Sequence, residues 1–240
     1  MTRRALITGA SRGLGLEFVR QCLERGQQVF ACARNPQASE GLQALGRTYG
    51  KRLVMVSMDV TDPDSVERAH GQIASMVDGL ELLVNNAGIN SSGVPQGQRN
   101  TTFGELEPAG ILHMVHVNAV APILIAQRFV SLLENGRDPK IINVSSWLGS
   151  LGKKMRGGNY GYCTSKTALN MMARAMALDL LPKGIISVCF NPGWVQTDMG
   201  GPKASLTPAQ SVGGMLSVTR TLEPEDAGRF IQWDGTEHPW

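Results

Sequence analysis

The sequence predicts a doubly wound α/β domain with a seven-stranded, mostly parallel sheet flanked by helices. Short runs rich in β-branched and apolar residues alternate with longer stretches whose apolar residues recur at helical spacing, which is the pattern of βαβ units. With 240 residues, of which 42% are apolar, the chain can bury one large core. No linker rich in proline, glycine and serine divides it into comparable halves, so we predict one domain over residues 1–240.

Seven runs are predicted to be strands because each is short, apolar and bounded by turn residues. In chain order they are RALIT (4–8), QQVFACA (27–33), RLVMVSM (52–58), ELLVNN (81–86), KIINVS (140–145), GIISVCF (184–190) and GRFIQWD (228–234). The helical stretches between them are 14–26, 62–77, 108–135 and 162–181, and a further helix is expected to begin after Thr207.

Capping residues indicate where these helices begin and end. Gly26 stands at the end of the first helical stretch, where glycine commonly terminates a helix. Asp62 and Thr207 each precede a proline, and both residue types cap helix N-termini. The least regular stretches, 90–104 and 200–206, are predicted to be loops that border a site.

Composition argues against several classes of function. The net charge is only +3 and the basic residues are scattered, so we expect no nucleic-acid partner. The four cysteines lie far apart without a C-x-x-C pair, and His113 and His116 lack a carboxylate at motif spacing, so no metal site is expected. No run of about 18 apolar residues and no signal-peptide pattern is found. We expect a cytoplasmic protein, with reduced thiols and no membrane partner.

A glycine-rich turn, TGASRGLG at residues 8–15, separates the first predicted strand from the first helix. Glycine leaves out the Cβ atom where the backbone turns tightly and approaches a pyrophosphate, which then lies at the positive N-terminus of the helix. Gly9, Gly13 and Gly15 fit this role. The turn predicts a dinucleotide site.

Two tyrosines and a lysine stand together in NYGYCTSK, residues 159–166. Tyr162 and Lys166 are four apart and share a helix face, whereas Tyr160 is six from the lysine and is expected to precede the helix. An ammonium close to the phenol, helped by an oxidised nicotinamide ring, would lower the Tyr162 pKa by about three units, worth roughly 4 kcal/mol. Tyr162 is therefore the predicted acid and base.

Four motifs occur in one order along nearly the whole chain: TGASRGLG, NNAG at 85–88, YCTSK at 162–166 and NPGWVQTDM at 191–199. In these motifs and their spacing the chain resembles the short-chain dehydrogenase/reductase family, whose members have a Rossmann-type fold. Within it, the C-factor and sniffer-like carbonyl reductases look most similar. The segment between Ser146 and Tyr162 is a few residues longer than the common family pattern.

The resemblance implies four catalytic residues. Tyr162 would be the acid and base, and Lys166 would tune it and hold the nicotinamide ribose. Ser146, rather than its neighbour Ser145, matches the serine that hydrogen-bonds the substrate carbonyl. Asn118 matches the asparagine that kinks its helix and anchors a water for a proton relay.

The resemblance also implies a set of cofactor-binding residues. They lie in the glycine turn, after the third and fourth strands, and around the nicotinamide, where Tyr162 and Lys166 also contribute. The remaining members are Gly9, Ser11, Arg12, Gly13, Leu14, Gly15, Asp59, Val60, Asn86, Ala87, Gly88, Pro192, Gly193, Val195 and Thr197.

The end of the second strand favours NADP(H) over NAD(H). An NAD enzyme generally has Asp or Glu there to bind the ribose 2′-hydroxyl, but this chain reads ACARNP. Arg34, together with Arg12 in the glycine turn, would instead bind a 2′-phosphate through charge-assisted hydrogen bonds.

The expected function is NADPH-dependent reduction of a ketone or aldehyde to an alcohol. Bulky side chains near the site in sequence favour an apolar or aromatic small-molecule substrate, and they are Trp147, Leu151, Met155, Trp194 and Met199. Long helices pair subunits in the family, so a homodimer or homotetramer is expected. Three alternatives remain open, namely alcohol oxidation, epimerase or dehydratase chemistry, and a signalling protein that binds NADP(H) with little turnover. A basic cluster, Lys153, Lys154 and Arg156, could receive an anionic ligand or face solvent.

Overall fold

A computed structural model describes residues 2–99 and 101–240 of the chain. Met1 and Asn100 lie outside the described residues; the second of these belongs to the predicted loop 90–104.

Seven strands form one sheet in which every strand pairing is parallel. They are β1 (Arg4–Thr8), β2 (Gln28–Ala33), β3 (Leu53–Ser57), β4 (Leu82–Asn85), β5 (Lys140–Val144), β6 (Ile186–Asn191) and β7 (Phe230–Gln232). The order across the sheet is β3-β2-β1-β4-β5-β6-β7. Strands β2 and β3 are added on one side of β1 and strands β4 to β7 on its other side, so the direction of winding reverses next to β1. Such a reversal opens a crevice at the carboxyl ends of the strands. All seven predicted strands are confirmed, with ends that differ by no more than two residues.

Helices connect the strands. They are α1 (Gly13–Glu24), α2 (Glu40–Tyr49), α3 (Pro63–Ala74), α4 (Pro108–Val115), α5 (Ala121–Glu134), α6 (Tyr160–Leu180) and α7 (Pro208–Thr219). The predicted caps are confirmed: Asp62 Oδ1 accepts from the Asp64 N–H, and Thr207 forms a reciprocal capping box with Gln210. Gly26 follows α1 with a φ of 80°.

Sequence patterning missed α2. Ser39 caps this helix by accepting from the Leu42 N–H. Leu42 is its one fully buried residue, and two glycines, Gly41 and Gly46, lower its helix propensity. The helix forms because it packs on the sheet, which is a tertiary effect.

The expectation that Tyr160 precedes its helix is wrong, because α6 begins at Tyr160. Asn159 adopts a left-handed conformation with φ 57° and so lets the chain turn into the helix at once. Tyr162 and Lys166 therefore lie in the first two turns of α6.

Helices cover both faces of the sheet. Alternate strand residues point to opposite faces, so Ile7 joins one core layer and Leu6 the other. The first layer packs against α1, α2 and α7, and the second against α3, α5 and the end of α6. Burial on both faces explains why these strands are apolar throughout.

Among the described residues, Pro108–Glu134 is the one helical segment long and apolar enough to cross a membrane, a test that the core helix of a soluble protein also passes. Half of its most apolar window is buried. Ile125, Phe129 and Leu133 belong to the second core layer, so this helix packs against the sheet.

A buried ion pair fixes the amino-terminal edge of the sheet, opposite the crevice. Glu81 accepts from the Arg4 backbone N–H at 2.7 Å and from two nitrogens of its guanidinium at 3.1 and 2.7 Å. Burial raises the pKa of Glu81, but the hydrogen bonds and charge of Arg4 outweigh burial and hold it below the ordinary value. The pair ties the start of β1 to the start of β4.

We predict that Glu81→Gln lowers the free energy of unfolding by about 1–3 kcal/mol at neutral pH, because the guanidinium loses its charged partner. A carboxylate with a lowered folded-state pKa contributes stability above its unfolded pKa, and this stability is lost as the pH falls. The difference between wild type and variant should therefore shrink below about pH 4, as measured by urea denaturation at several pH values.

Glu67→Gln is the matched control, since Glu67 pairs with Arg128 at the surface and its loss should change the free energy of unfolding far less than the loss of Glu81. If Glu81→Gln lowers the free energy of unfolding as much below about pH 4 as at neutral pH, the ion-pair explanation is contradicted.

Candidate active site

The glycine turn joins β1 to α1. Gly9 and Gly13 have φ angles of 62° and 54°, a region that favours glycine. A Cβ atom at Gly15 would lie 2.2 Å from the Gly9 carbonyl oxygen, so the first and third glycines must pack closely. Within the described part of the chain, no side chain caps α1. Its first backbone N–H groups are therefore available to an anion.

The segment after β4 packs against this turn. Thr8 Oγ1 accepts from the N–H groups of Asn86 and Ala87, each at 3.0 Å, and Asn86 Nδ2 donates to the carbonyls of Thr8 and Gly9 at 2.8 and 3.2 Å. A Cβ at Gly9 would lie 2.8 Å from Ala87 Cα. The structure thus brings two predicted segments together. The sequence analysis missed the role of Thr8, although its place at the end of β1 is a usable signal.

Ser11 and Leu14 of the glycine turn contact α2 and the first core layer, respectively. The Ser11 carbonyl accepts from Ser39 Oγ at 2.7 Å, which links the turn to the N-terminus of α2. Leu14 is half-buried and packs against the first core layer. The Leu14 side chain therefore supports the glycine turn from the side of the core.

Arg34, Asp59 and Val60 follow β2 and β3 at the outer end of the crevice. Asp59 Oδ1 accepts from the N–H and hydroxyl of Thr61 at 2.9 and 2.7 Å. These hydrogen bonds, with the charges of Arg34 and His113, lower the pKa of Asp59. Arg34 is exposed and Val60 is half-buried. A cation and an oriented carboxylate thus lie near each other here.

The segment after β6 reaches the glycine turn from the other side. Arg12 forms an exposed ion pair with Asp198 at 3.2 Å, a partner that the sequence analysis did not consider. A Cβ at Gly13 would lie 3.5 Å from Thr197 Cγ2. Thr197 Oγ1 in turn accepts from the Gly200 N–H at 3.2 Å.

Asn191 joins two of the predicted segments. Its Oδ1 accepts from the N–H groups of Trp147 and Gly193, each at 3.1 Å. Gly193 has a φ of 78°, and a Cβ there would lie 2.5 Å from the Leu206 side chain. The sequence analysis quoted Asn191 in a motif but gave it no role.

Pro192 and Val195 are fixed by their own partners. The Pro192 carbonyl accepts from Ser211 Oγ at 2.7 Å, at the start of α7. Val195 is buried and forms a parallel bridge with Leu206. The predicted nicotinamide segment is therefore held at both ends.

Asn118 lies in a π-helical segment, His116–Val120, between α4 and α5. Its Oδ1 accepts from the Ile89 N–H at 2.8 Å, and its Nδ2 donates to the Ile89 carbonyl and to Ser165 Oγ at 2.7 and 2.9 Å. Pro122 has no N–H, so an α-helix would supply no donor to the Asn118 carbonyl. The Asn118 carbonyl therefore lacks the donor that a regular α-helix would give it.

The two serines after β5 have different partners. Ser145 is buried, and its hydroxyl donates to Asn170 Oδ1 at 2.6 Å. Ser146 Oγ accepts from the Leu148 N–H at 3.2 Å, and its hydroxyl lies near enough to the Tyr162 phenol to lower its pKa. Ser146 is thus the one that meets the tyrosine.

Lys166 lies beside Tyr162 but binds elsewhere. Its Nζ donates to the Val144 carbonyl at 2.8 Å and lies 5.9 Å from the centroid of the Tyr162 ring. A Cβ at Gly88 would lie 3.2 Å from Asn118 Oδ1 and 3.5 Å from this ammonium. Because Gly88 has no side chain, the space between Asn118 Oδ1 and the Lys166 ammonium stays open.

Burial dominates the ionisation of both residues. It raises the pKa of Tyr162 to about 12 against the opposing effect of the nearby Ser146 hydroxyl, and it lowers the pKa of Lys166 to about 8. The predicted lowering of the Tyr162 pKa by its lysine is therefore wrong for the protein alone. The reason is that the ammonium donates to a carbonyl while the phenol is desolvated.

Five large apolar side chains near this centre in sequence are exposed: Trp147, Leu151, Met155, Trp194 and Met199. The basic residues Lys153, Lys154 and Arg156 are exposed among them. Lys154 Nζ donates to the Gly158 carbonyl at 2.8 Å.

A separate cavity of about 530 Å³ lies between α1, α2 and the segment 196–198. Gly13 and Thr197 belong to its lining, but Ser146, Tyr162 and Lys166 do not. Within residues 2–99 and 101–240, no group of three or more His, Cys, Asp or Glu side chains is placed to hold a metal ion. The four cysteines are buried free thiols.

Known proteins share this architecture over its whole length. An NADPH-bound carbonyl reductase from chicken fatty liver superposes with a TM-score of 0.91 at 34% identity, covering 100% of this chain and 99% of that one. The carbonyl reductase Sniffer of D. melanogaster superposes with a TM-score of 0.90 at 31% identity, covering both chains completely.

Similar sequences include the C-signal of Myxococcus xanthus, 40% identical over 67% of this chain and 93% of that protein. A 1-hydroxy-2-glutathionyl-2-methyl-3-butene dehydrogenase of Rhodococcus sp. is 30% identical over 98% of both chains. The family model described as short chain dehydrogenase matches residues 3–206. The chain therefore belongs to the short chain dehydrogenase family.

Proposed function

We propose that this protein uses NADPH to reduce the carbonyl group of a small apolar or aromatic ketone or aldehyde to an alcohol. The observation that carries the proposal is the convergence of the Ser146 hydroxyl, the Tyr162 phenol and the Lys166 ammonium at the carboxyl end of β5. The full-length similarity to an NADPH-bound carbonyl reductase supports it.

The residues present fit NADP(H). The glycine turn and the N-terminus of α1 would bind the pyrophosphate, and Asp59 and Val60 would contact the adenine. Arg34 and Arg12 would bind the 2′-phosphate. Support comes from the exposed guanidinium of Arg34 and from the absence of a carboxylate directly after β2. When bound, the reduced cofactor supplies a hydride.

In this proposal each catalytic side chain has a defined role. Ser146 Oγ donates to the substrate carbonyl oxygen and orients it, and the Tyr162 phenol transfers its proton to that oxygen. Lys166 holds the nicotinamide ribose and favours the phenolate that remains. The Asn118 carbonyl holds a water that returns a proton towards the site.

The ionisation of the site supports reduction. With a pKa of about 12, the Tyr162 phenol is protonated at neutral pH and is ready to donate. Lys166, with a pKa of about 8, is mostly charged under the same conditions. The free protein is therefore in the protonation state that carbonyl reduction requires.

Exposed side chains near the site in sequence support the proposed substrate class. Trp147, Trp194 and Met199 are about half exposed, while Leu151 and Met155 are largely so. Apolar groups with that much exposure gain free energy when a ligand covers them. An apolar or aromatic carbonyl compound suits this surface.

Two other functions have specific support. The dehydrogenase name of the Rhodococcus relative favours alcohol oxidation by the same residues. The match to the C-signal of Myxococcus xanthus favours a signalling protein that binds NADP(H) with little turnover. A biological effect that survives Tyr162→Phe after reduction is lost would favour signalling over enzymatic action.

We also propose that residues 1–240 form one cytoplasmic NADP(H)-binding domain that assembles as a homodimer or homotetramer. Exposed apolar side chains on α4 and α6 support the assembly, among them Leu112, Met171 and Leu178. Sedimentation of the purified protein would decide its oligomeric state.

Tyr162→Phe should lower kcat for NADPH-dependent reduction by about 10²- to 10⁴-fold, because the proton donor is lost. The binding of NADPH should remain. Steady-state kinetics with 4-nitrobenzaldehyde and fluorescence titration of the nucleotide would measure both.

Tyr160→Phe is the matched control, since Tyr160 lies in the same first turn of α6 but packs against Phe103. It should retain activity close to wild type. Equal losses in the two variants would contradict the assignment of Tyr162 as the acid.

Arg34→Ala should weaken NADPH binding by about 10- to 100-fold through loss of a charge-assisted hydrogen bond. NADH binding should not change, because NADH has no 2′-phosphate. Fluorescence titration with both nucleotides would test this, with Arg47→Ala on the exposed side of α2 as the control. An equal loss of NADH affinity would show that Arg34 does not bind the 2′-phosphate.

A further inference from the structure

The chain folds back on β7 after its last strand. The Gln232 N–H donates to the Thr236 carbonyl at 2.7 Å, and the His238 N–H donates to the Phe230 carbonyl at 2.8 Å. Ile231 and Glu237 form an antiparallel bridge. Residues 236–240, the return segment, are therefore attached to the edge of the sheet.

The far end of the return segment contacts the loop that follows Ser146. The Trp240 carbonyl accepts from Ser150 Oγ at 2.8 Å and from the Gly152 N–H at 3.0 Å. Ser150 Oγ itself accepts from the Lys153 N–H at 3.2 Å. One carbonyl thus holds two positions of this loop.

Two rings seat the return segment on the core. The imidazole of His238 is buried and packs edge-on against Phe230, with ring centroids 4.7 Å apart. The Trp240 ring lies 5.4 Å from Phe230 and under the Arg174 guanidinium at 5.3 Å. These contacts fix the direction in which the Trp240 carbonyl points.

His238 also lies beside the Ser146 turn, residues 146–150. Burial lowers the pKa of His238, the charge of Lys153 lowers it further, and the nearby backbone of Trp147 opposes them. His238 Nε2 is buried and has no hydrogen-bond partner among the described residues. The packing of the imidazole on Phe230 therefore holds the return segment next to the turn.

The position of Ser146 Oγ depends on this turn, because the oxygen accepts from the Leu148 N–H. On its inner side the turn is held by Asn191, which binds the Trp147 N–H, and by Thr167 and Asn170, which donate to the Gly149 carbonyl. The return segment supplies the contacts on the outer side.

We infer that the return segment positions the Ser146 turn for substrate binding, through the hydrogen bonds that its Trp240 carbonyl accepts from Ser150 and Gly152. The inference rests on the proposed function, because it assigns the turn to the carbonyl substrate. A segment that only covered the edge of β7 would need the contacts to β7 alone. The hydrogen bonds from the loop to the Trp240 carbonyl go beyond that need.

Ser150→Ala is the decisive variant, because it removes the hydrogen bond from Ser150 Oγ to the Trp240 carbonyl. We expect the KM for 4-nitrobenzaldehyde to rise roughly two- to tenfold, as for the loss of one hydrogen bond, while the Kd for NADPH stays unchanged. Ser150→Thr, which keeps a hydroxyl at this position, should restore much of the loss.

Trypsin supplies a readout that does not depend on activity. Lys153, Lys154 and Arg156 are exposed cleavage sites in the loop that Trp240 holds. Cleavage there, followed by mass spectrometry, should be faster in Ser150→Ala and in His238→Ala, which removes the packing on Phe230, because proteolysis follows the population of the open loop. Ser150→Ala breaks the contact from the loop side and leaves the packing on Phe230 intact.

His70→Ala is the matched control. His70 also packs edge-on against a phenylalanine, Phe129, at 5.1 Å, but it lies on α3 in the second core layer. This variant should leave both the KM and the cleavage of the 153–156 loop unchanged.

Wild-type cleavage rates in both His238→Ala and Ser150→Ala would overturn the inference, as would a rise in the Kd for NADPH equal to the rise in KM. If the wild-type protein reduces no aldehyde, the proposed function fails. The cleavage rates then decide by themselves whether the return segment holds the turn.

Discussion

The site depends on the parallel alignment of the strands. Because all seven strands run the same way, their carboxyl ends meet at one edge of the sheet, and segments far apart in sequence come together there. The glycine turn after β1, the Asn86 segment after β4 and the Ser146 turn after β5 share this edge. The same alignment buries both faces of the sheet, which leaves this edge as the place where polar backbone groups can serve a ligand.

Amide side chains then fix the segments at that edge. Asn86 binds the glycine turn, Asn118 binds Ile89, and Asn191 binds the starts of two loops. An amide can donate and accept at once, so it can hold two backbone groups in a fixed relation. These residues give the site its geometry, while Ser146, Tyr162 and Lys166 carry the proposed chemistry.

Burial sets the chemical state of the proposed acid. Desolvation keeps the Tyr162 phenol protonated, and the Lys166 ammonium donates to the Val144 carbonyl rather than to the phenol. Helical spacing places the two residues on one face but says nothing about competing acceptors. For this reason the pair was found from the sequence while the direction of the tyrosine pKa shift was not.

The sequence by itself determined the seven strands, most of the helices, the helix caps and the family motifs, because period, capping chemistry and glycine spacing are local properties of the chain. The roles of the motif residues stay predictions. Only the tertiary structure decided that α2 forms, that Tyr160 lies inside α6, that Arg12 pairs with Asp198, and that residues 236–240 reach the Ser146 turn. Each of these depends on contacts between segments distant in sequence, whose free energy is gained only after the sheet has brought them together.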